Sequence, residues 1–364
     1  VGTDLARPSL RDFPLFRMSR SPSESTPLSE RERSILRAAV QAFVQTAGPV
    51  GSRILAERYD LGISSASIRS TLSALGAAGY LDQPHTSAGR VPTAQGYRTF
   101  VDELMAAPLL STAEKHLLRA ELDRMSGDTD GLLRETSKLL GTLSNLLGVV
   151  LKPRLATGIL ERIEAVPVSS SRVIFVLSLR DGLVKTILLE LDTDVPRDQL
   201  ERVVQRLNER IAGLAMEEIR RTFAERVQDL DDETRAGVVR LIVDRQHAFF
   251  ADPPTERVEV SSTSPLLNQP EFQQPAELRR LIGMLEDERF LVQLLEDETS
   301  SAGVARITIG REGDDVEGFS IVTARYRLGG SVGTVGVIGP TRMDYARAVG
   351  IVEQAARTLS SSTS

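Results

Sequence analysis

At 364 residues the chain has room for roughly two or three domains, and 41% hydrophobic with 26% charged residues describes an ordinary folded protein. Without cysteine it forms no disulfide, thiolate zinc site or cysteine nucleophile, and without a run of about eighteen apolar residues it offers no membrane span. A net charge of −6 argues against random coating of nucleic acid while allowing a local DNA-binding face, and 4% aromatics without tryptophan argue against stacking platforms for single strands.

Residues 1–27 contain Pro8, Pro14, Pro22 and Pro27 and serines clustered from Ser19 to Ser25. No hydrophobic period survives there, so the stretch reads as a disordered extension. It carries Arg7, Arg11, Arg17 and Arg20 but no apolar signal-peptide core. The first helix begins at Leu28, with Ser29 and Glu32 spaced as a capping box. Ile35, Leu36, Ala39, Val40, Phe43 and Val44 form its buried stripe, and Gly48-Pro49 ends it.

The segment Ser52 to Tyr97 predicts a winged helix-turn-helix. Ser52 is placed to cap a helix that buries Ile54, Leu55 and Tyr59. Asp60-Leu61-Gly62-Ile63 is the turn, and Ser64 or Ser65 opens a second helix closed by Gly79. Ile68, Leu72 and Leu75 share one face of that helix. Ala66, Ser70, Ser73 and Ala77 point the other way, with Ser67 and Arg69 on the flanks. Small and hydroxyl side chains with one arginine suit a helix pressed into the DNA major groove. Tyr80 to Gln83 and Arg90-Val91 pair as a hairpin around a turn-forming tip, Pro84 to Gly89, and make the wing. From Ser52 to Arg98, five arginines against three carboxylates make the stretch only weakly basic, so base and shape readout must act beside phosphate attraction. Ser65, Ser67, Arg69, Ser70 and Ser73 are the candidate groove contacts. Ser52, Arg53, His85, Ser87 and Arg90 are the candidate backbone or wing contacts.

Thr93 caps a further helix, with Tyr97, Phe100, Val101 and Leu104 spaced to pack inward. From Ala106 to Leu147 the leucine pattern is helical, divided at Ser126-Gly127-Asp128, without the sustained heptads of a coiled coil. Ile159 to Val168, Arg172 to Leu179 and Val184 to Leu191 read as an antiparallel meander. Helices over Arg197 to Leu214, Glu217 to Arg226 and Glu233 to Phe250 follow. Val258 to Ser261 is a candidate strand and Ala276 to Leu295 a helix. Val304 to Ile309, Phe319 to Tyr326 and Gly333 to Ile338 alternate as strands. Arg342 to Leu359 closes the chain as a helix with Thr341 as its N-cap.

Catalytic signals are absent. His85, His116 and His247 lie far apart with no metal-ligand spacing, and no Walker A or G-x-S-x-G run occurs. Gly329 to Gly339 lacks the G-x-G-x-x-G spacing, which favours turn geometry and close packing over a nucleotide site. The cluster Asp229, Asp231, Asp232 and Glu233 reads as a solvated helix start. No catalytic residue, metal or cofactor is expected.

Several stretches together resemble the HrcA family of heat-inducible transcription repressors. They are Pro49-Val50-Gly51-Ser52-Arg53, Ser67-Ile68-Arg69, the long run Gln83 to Thr93 with Gly96-Tyr97-Arg98, and Gly333 to Tyr345. Together they frame nearly all of the chain after Pro27; Ser70 stands where the family often has Asn. The resemblance implies an α+β multidomain protein, whereas periodicity alone gives only mixed α/β. Its parts are a winged helix-turn-helix head over 28–105, a discontinuous GAF-like domain over 106–156 and 251–364, and an inserted α/β dimerising domain over 157–250. It further implies a cytoplasmic homodimer that binds an inverted-repeat operator upstream of chaperone operons and is kept active by the chaperonin. A metabolite-responsive regulator with a ligand in the GAF-like domain is the alternative. An enzyme merely located by its helix-turn-helix has no motif in its favour.

Overall fold

The computed structural model describes residues 27–85, 88–106, 110–124, 128–169, 171–180, 182–191, 195–230, 238–250, 257–296, 301–310, 316–328 and 331–361. The expected extension over 1–27 lies outside these residues, apart from Pro27, as do Ser87 and the acidic positions Asp231, Asp232 and Glu233.

Three helices and a hairpin form the N-terminal head. Helix α1 (Glu30–Thr46) opens on the expected capping box. The Ser29 backbone N–H donates to the Glu32 carboxylate at 2.8 Å, and the Glu32 N–H donates to Ser29 Oγ at 3.4 Å. The helix stops at Thr46 because Ala47 takes a left-handed conformation (φ 53°), ahead of Gly48-Pro49. Helix α2 (Ser52–Arg58) starts one residue earlier than expected. Gly51 is its N-cap and Ser52 is its first residue, so Ser52 does not cap it. Leu55 is fully buried and Tyr59 half-buried, but Ile54 faces solvent. Helix α3 (Ser65–Ala77) is capped by Ser64, whose Oγ accepts the Ser67 N–H. Strands β1 (Leu81–Asp82) and β2 (Val91–Pro92) pair antiparallel, Leu81 with Pro92 and Asp82 with Val91. Helix α4 (Ala94–Thr99), capped by Thr93, runs into one π-helical turn over Phe100–Leu104.

Helices α5 (Thr112–Asp123) and α6 (Thr129–Ser144) precede strand β3 (Leu147–Leu151). This strand corrects the helical reading that ran to Leu147. Asn145 turns left-handed (φ 56°) and ends α6, and every residue of β3 is buried. A strand buried on both faces shows no alternation, so its sequence is not distinguished from buried helix.

A separate three-stranded sheet follows: β4 (Leu160–Ser169), β5 (Arg172–Leu179) and β6 (Val184–Glu190), ordered β4-β5-β6. Helices α7 (Arg197–Ile211), α8 (Met216–Val227), α9 (Val238–Asp244) and α10 (Gln246–Phe250) share its core, in which Phe175, Phe223, Phe249 and Phe250 are fully buried.

The chain then returns to the larger sheet. It adds β7 (Val258–Val260), α11 (Ser264–Leu267), α12 (Pro275–Glu286), α13 (Glu288–Leu295), β8 (Ala305–Ile309), β9 (Phe319–Leu328), β10 (Ser331–Pro340) and α14 (Tyr345–Ser361). The single helix expected over Ala276 to Leu295 is broken at Asp287, whose carboxylate caps α13 by accepting the Phe290 N–H at 3.0 Å. Asp344, not Thr341, holds the start of α14 by accepting the Arg347 N–H at 3.1 Å. The five strands run in the order β7-β3-β10-β9-β8, all antiparallel. Val150, Val322, Tyr326 and Val335 share one core with α5, α6 and α14, and Val149, Leu151, Ile321 and Ile338 share another with α12 and α13. The first of these cores runs on without a break into α1 and α3 of the head.

The glycines of β10 serve packing. Gly333 pairs with Tyr326, and a Cβ there would stand 2.4 Å from atoms of the Tyr326 ring. The Tyr326 hydroxyl donates to the Leu151 carbonyl of β3 at 3.2 Å, so the bare backbone lets a tyrosine lie across three strands.

Two ionic ties set the larger pieces against one another. Arg342, before α14, donates to Glu271 through Nε (2.6 Å) and Nη2 (3.2 Å), to the Val44 carbonyl of α1 (2.8 Å) and to Gln269 Oε1 (3.0 Å). Glu296, after α13, receives Arg154 through two bonds (3.0 and 2.7 Å) and Arg257 through one (2.8 Å). Arg154 and Arg257 lie on the two chain connections between the sheets, so one carboxylate fastens both. Burial alone would raise the Glu296 carboxyl, but the hydrogen bonds and charges of the two arginines outweigh it and hold the group below the usual carboxylate range.

Two outcomes follow. Arg342→Ala leaves the partly buried Glu271 without its partner and is expected to cost about 1–3 kcal/mol, read as a lower denaturant midpoint. The Glu296 tie has a depressed folded-state pKa, so its stabilisation is complete above the ordinary glutamate value and is lost as pH falls through the lowered one. Melting temperature measured from neutral pH into acid should therefore fall less steeply for Glu296→Gln than for wild type.

Candidate nucleic-acid interface

Helix α3 is bound to the head along one face only. Ile68 and Leu75 are fully buried, Leu72 is 4% exposed and Thr71 is buried with its hydroxyl donating to the Ser67 carbonyl. Ala66, Arg69, Ser70, Ser73, Ala74 and Ala77 are exposed on the remaining surface. The Arg69 guanidinium makes no ion pair or hydrogen bond among the described residues. Ser70 and Ser73 thus share the outward face, as their spacing predicts, with Arg69 exposed on its flank.

Other candidates are placed differently. Ser52 is 7% exposed, and its Oγ accepts a hydrogen bond from Ser65 at 3.3 Å. These two hydroxyls join α2 to α3, so Ser52 belongs to the internal support of the helix pair. Ser67 is half-buried, its hydroxyl 3.0 Å from that of Ser64. Arg53 is exposed and paired with Glu57 at 2.9 Å, a solvated contact across one helical turn that is readily exchanged for another partner.

At the hairpin, His85 is exposed and its carbonyl accepts the Ala88 N–H at 2.8 Å. Gln83 Nε2 donates to the Ala88 carbonyl at 3.1 Å and closes the same turn. The Arg90 backbone exchanges both hydrogen bonds with Val50, at 2.8 Å each, tying the hairpin to the entry of α2. Its guanidinium lies over the end of α3, where a Cβ on Gly76 would stand 3.1 Å from Nη1. Half-buried and folded inward, Arg90 packs the hairpin against α3 instead of extending from the tip. Gly89 lets the strands close, because a Cβ there would fall 2.6–2.7 Å from backbone atoms of Pro49 and Val50.

The base of the head is fixed to the larger sheet. The Tyr97 and Tyr345 rings are 6.0 Å apart and tilted, and Arg98 Nη2 donates to the Ile309 carbonyl at 3.3 Å. Burial, reinforced by Tyr345, pushes the Tyr97 hydroxyl well above its ordinary range, so it stays neutral. The exposed face of α3 is consequently presented on a head whose own base is immobilised by long-range contacts.

Residues 130–349 match the family described as HrcA protein C terminal domain. Over 349 residues the chain is 41% identical to the heat-inducible transcription repressor HrcA of Chlorobium phaeobacteroides (strain BS1), covering 93% of this chain and 99% of that one. The chain belongs to the HrcA family of heat-inducible transcription repressors. The HrcA protein of Prosthecochloris aestuarii is likewise 41% identical, over 351 residues covering 93% of this chain and 98% of that one. A crystal structure described as that of a hypothetical protein shares the fold, with a TM-score of 0.57 at 23% identity over 92% of this chain and 98% of that one.

HrcA membership is that of a repressor family, which points away from an enzyme. Among the described residues, no group of three or more His, Cys, Asp or Glu side chains is arranged to hold a metal ion, and no helix is long and apolar enough to cross a membrane. The fold also brings Arg31, which no sequence motif marks, to the same open groove as Ser70 and Ala74. It lies on a different helix from the recognition stretch.

Proposed function

We propose that this chain is a sequence-specific repressor that binds double-stranded DNA as a homodimer. Two heads occupy the halves of an inverted-repeat operator upstream of chaperone operons. The observation that carries this reading is the free outward face of α3, with Arg69, Ser70 and Ser73 on a helix otherwise buried in the head. Helices α2 and α3 with the β1-β2 hairpin then act as a winged helix-turn-helix, with α3 in the major groove and the hairpin along the backbone. The five-stranded sheet with its helices is the GAF-like domain, and the β4-β5-β6 unit is the inserted dimerising domain. Chaperonin control enters through the family resemblance: the chaperonin keeps the repressor active, and its diversion to other clients during heat shock releases the operons.

The dimer reading has support in the smaller sheet. Val166 pairs with Ile174, and Ile174 with Leu188, so the three form a row across β4, β5 and β6. Val166, Val168, Val184 and Leu188 are each more than half exposed. The opposite face is covered by α7 and its neighbours, whereas this apolar face suits a second copy of the chain.

A gel-shift titration against an inverted-repeat chaperone operator, beside a scrambled duplex at the same salt and with or without chaperonin, tests the reading. Tight binding to the operator alone, improved by chaperonin, is expected, and Arg69→Ala should weaken it by about tenfold or more. Equal, weak and salt-dependent binding to both duplexes would reject the operator assignment and turn attention to a ligand of the GAF-like domain. Leu188→Glu should convert the dimer to a monomer by light scattering; an unchanged mass would reject this face as the dimer contact.

A further inference from the structure

We propose that Arg31, in the first turn of α1, is a second anchor for the DNA backbone and holds one phosphate at the flank of α3. The proposal rests on the reading that α3 meets the duplex. An open groove of about 420 Å³ runs between the two helices, with Arg31, Glu30 and Glu32 on the α1 side and Ser70 and Ala74 on the α3 side. Ser70 and Ala74 belong to the outward face already described, so the groove continues that face.

The arginines of α1 have different tasks. Arg33 is paired with Glu103 at 2.7 Å, and Arg37 Nε donates to the Leu104 carbonyl at 3.0 Å. Both hold α1 to the end of the α4 segment. Arg31 is exposed, and its guanidinium has no hydrogen bond or ion pair among the described residues. The neighbouring Glu32 keeps its negative charge but is not paired with Arg31. That carboxylate is turned to the Ser29 N–H (2.8 Å) and hydroxyl (2.6 Å), bonds that also hold its pKa below the ordinary glutamate value. Glu30 is the second acid on this rim and is exposed. Glu30 and Arg31 line the same groove, and among the described residues no ion pair joins them.

The occupant is a phosphate of the duplex because of where the groove lies. A helix seated in the major groove has a sugar-phosphate strand along each flank. The Ser70–Ala74 flank has only small side chains, which let a strand come close, and a guanidinium at its edge matches the planar, bidentate demand of a phosphate. Such a contact sets affinity and register without reading sequence.

The test is a titration of the full chain against the inverted-repeat operator and a scrambled duplex across a series of salt concentrations. It compares wild type, Arg31→Ala, Arg31→Lys and Arg69→Ala. Arg31→Ala should weaken both duplexes by a similar factor, about five- to tenfold at low salt, and reduce the salt dependence by about one ion per head. Arg31→Lys should restore the salt dependence, and Arg69→Ala should lose operator preference. An Arg31→Ala variant with wild-type affinity and salt slope, beside an impaired Arg69→Ala, would overturn this proposal and leave the DNA-binding reading standing. Wild-type protein that binds neither duplex would overturn both.

Discussion

The guanidinium of Arg342 ties the head of this molecule to its body. It is 12% exposed and reaches Glu271, Gln269 and the Val44 carbonyl. A largely buried charge is tolerable only when its donors are satisfied, and its three nitrogens have partners from two segments of chain, α1 and the stretch 269–271. Val44 lies near the end of α1, so the tie fixes the head from the side of α1 that continues into the common core. Tyr97 against Tyr345 and Arg98 on Ile309 add contacts over the same junction. A second tie, Glu296 with Arg154 and Arg257, fastens the connections to the three-stranded unit. One tie therefore joins the head to the larger sheet, and the other holds together the two connections that lead to the smaller sheet.

This serial arrangement gives the proposed function its geometry. The proposed dimer contact on the β4-β5-β6 face and the proposed reading helix in the head belong to the two outer members of the series. If either tie were loose, two heads would explore many separations, and binding to a fixed inverted repeat would cost the entropy of ordering them. With both ties closed, that cost is met during folding. The weak positive charge of the head makes this pre-organisation more important, since phosphate attraction alone supplies little.

Local features of the head were legible in the sequence because their determinants lie within one or two helical turns. The Ser29–Glu32 box, the Ser64 and Thr93 caps and the spacing of Ile68, Leu72 and Leu75 each specify structure from neighbouring residues. The errors have equally physical origins. Leu147 to Leu151 is buried on both sides and so loses the alternation that identifies a strand. Ser52 looked like a cap, but Gly51 holds that position and the Ser52 hydroxyl accepts from Ser65 across the helix-helix contact. Arg90 was placed to reach DNA from the hairpin, and the fold lays its guanidinium over Gly76, a contact that no local pattern reports. Arg342 and Val44 stand 298 positions apart, and no periodicity reports such a pair.

The central claim is that rigidly connected heads read two half-sites together. Its most direct measurement is the affinity of the full chain for operators with altered spacing between the half-sites. Inserting about half a helical turn, roughly five base pairs, turns one half-site to the opposite face of the duplex. The account predicts that this insertion abolishes tight binding while both half-sites remain intact in sequence. Affinity unchanged by the insertion would contradict it, because the heads would then be independent and the ties through Arg342 and Glu296 would have no part in recognition.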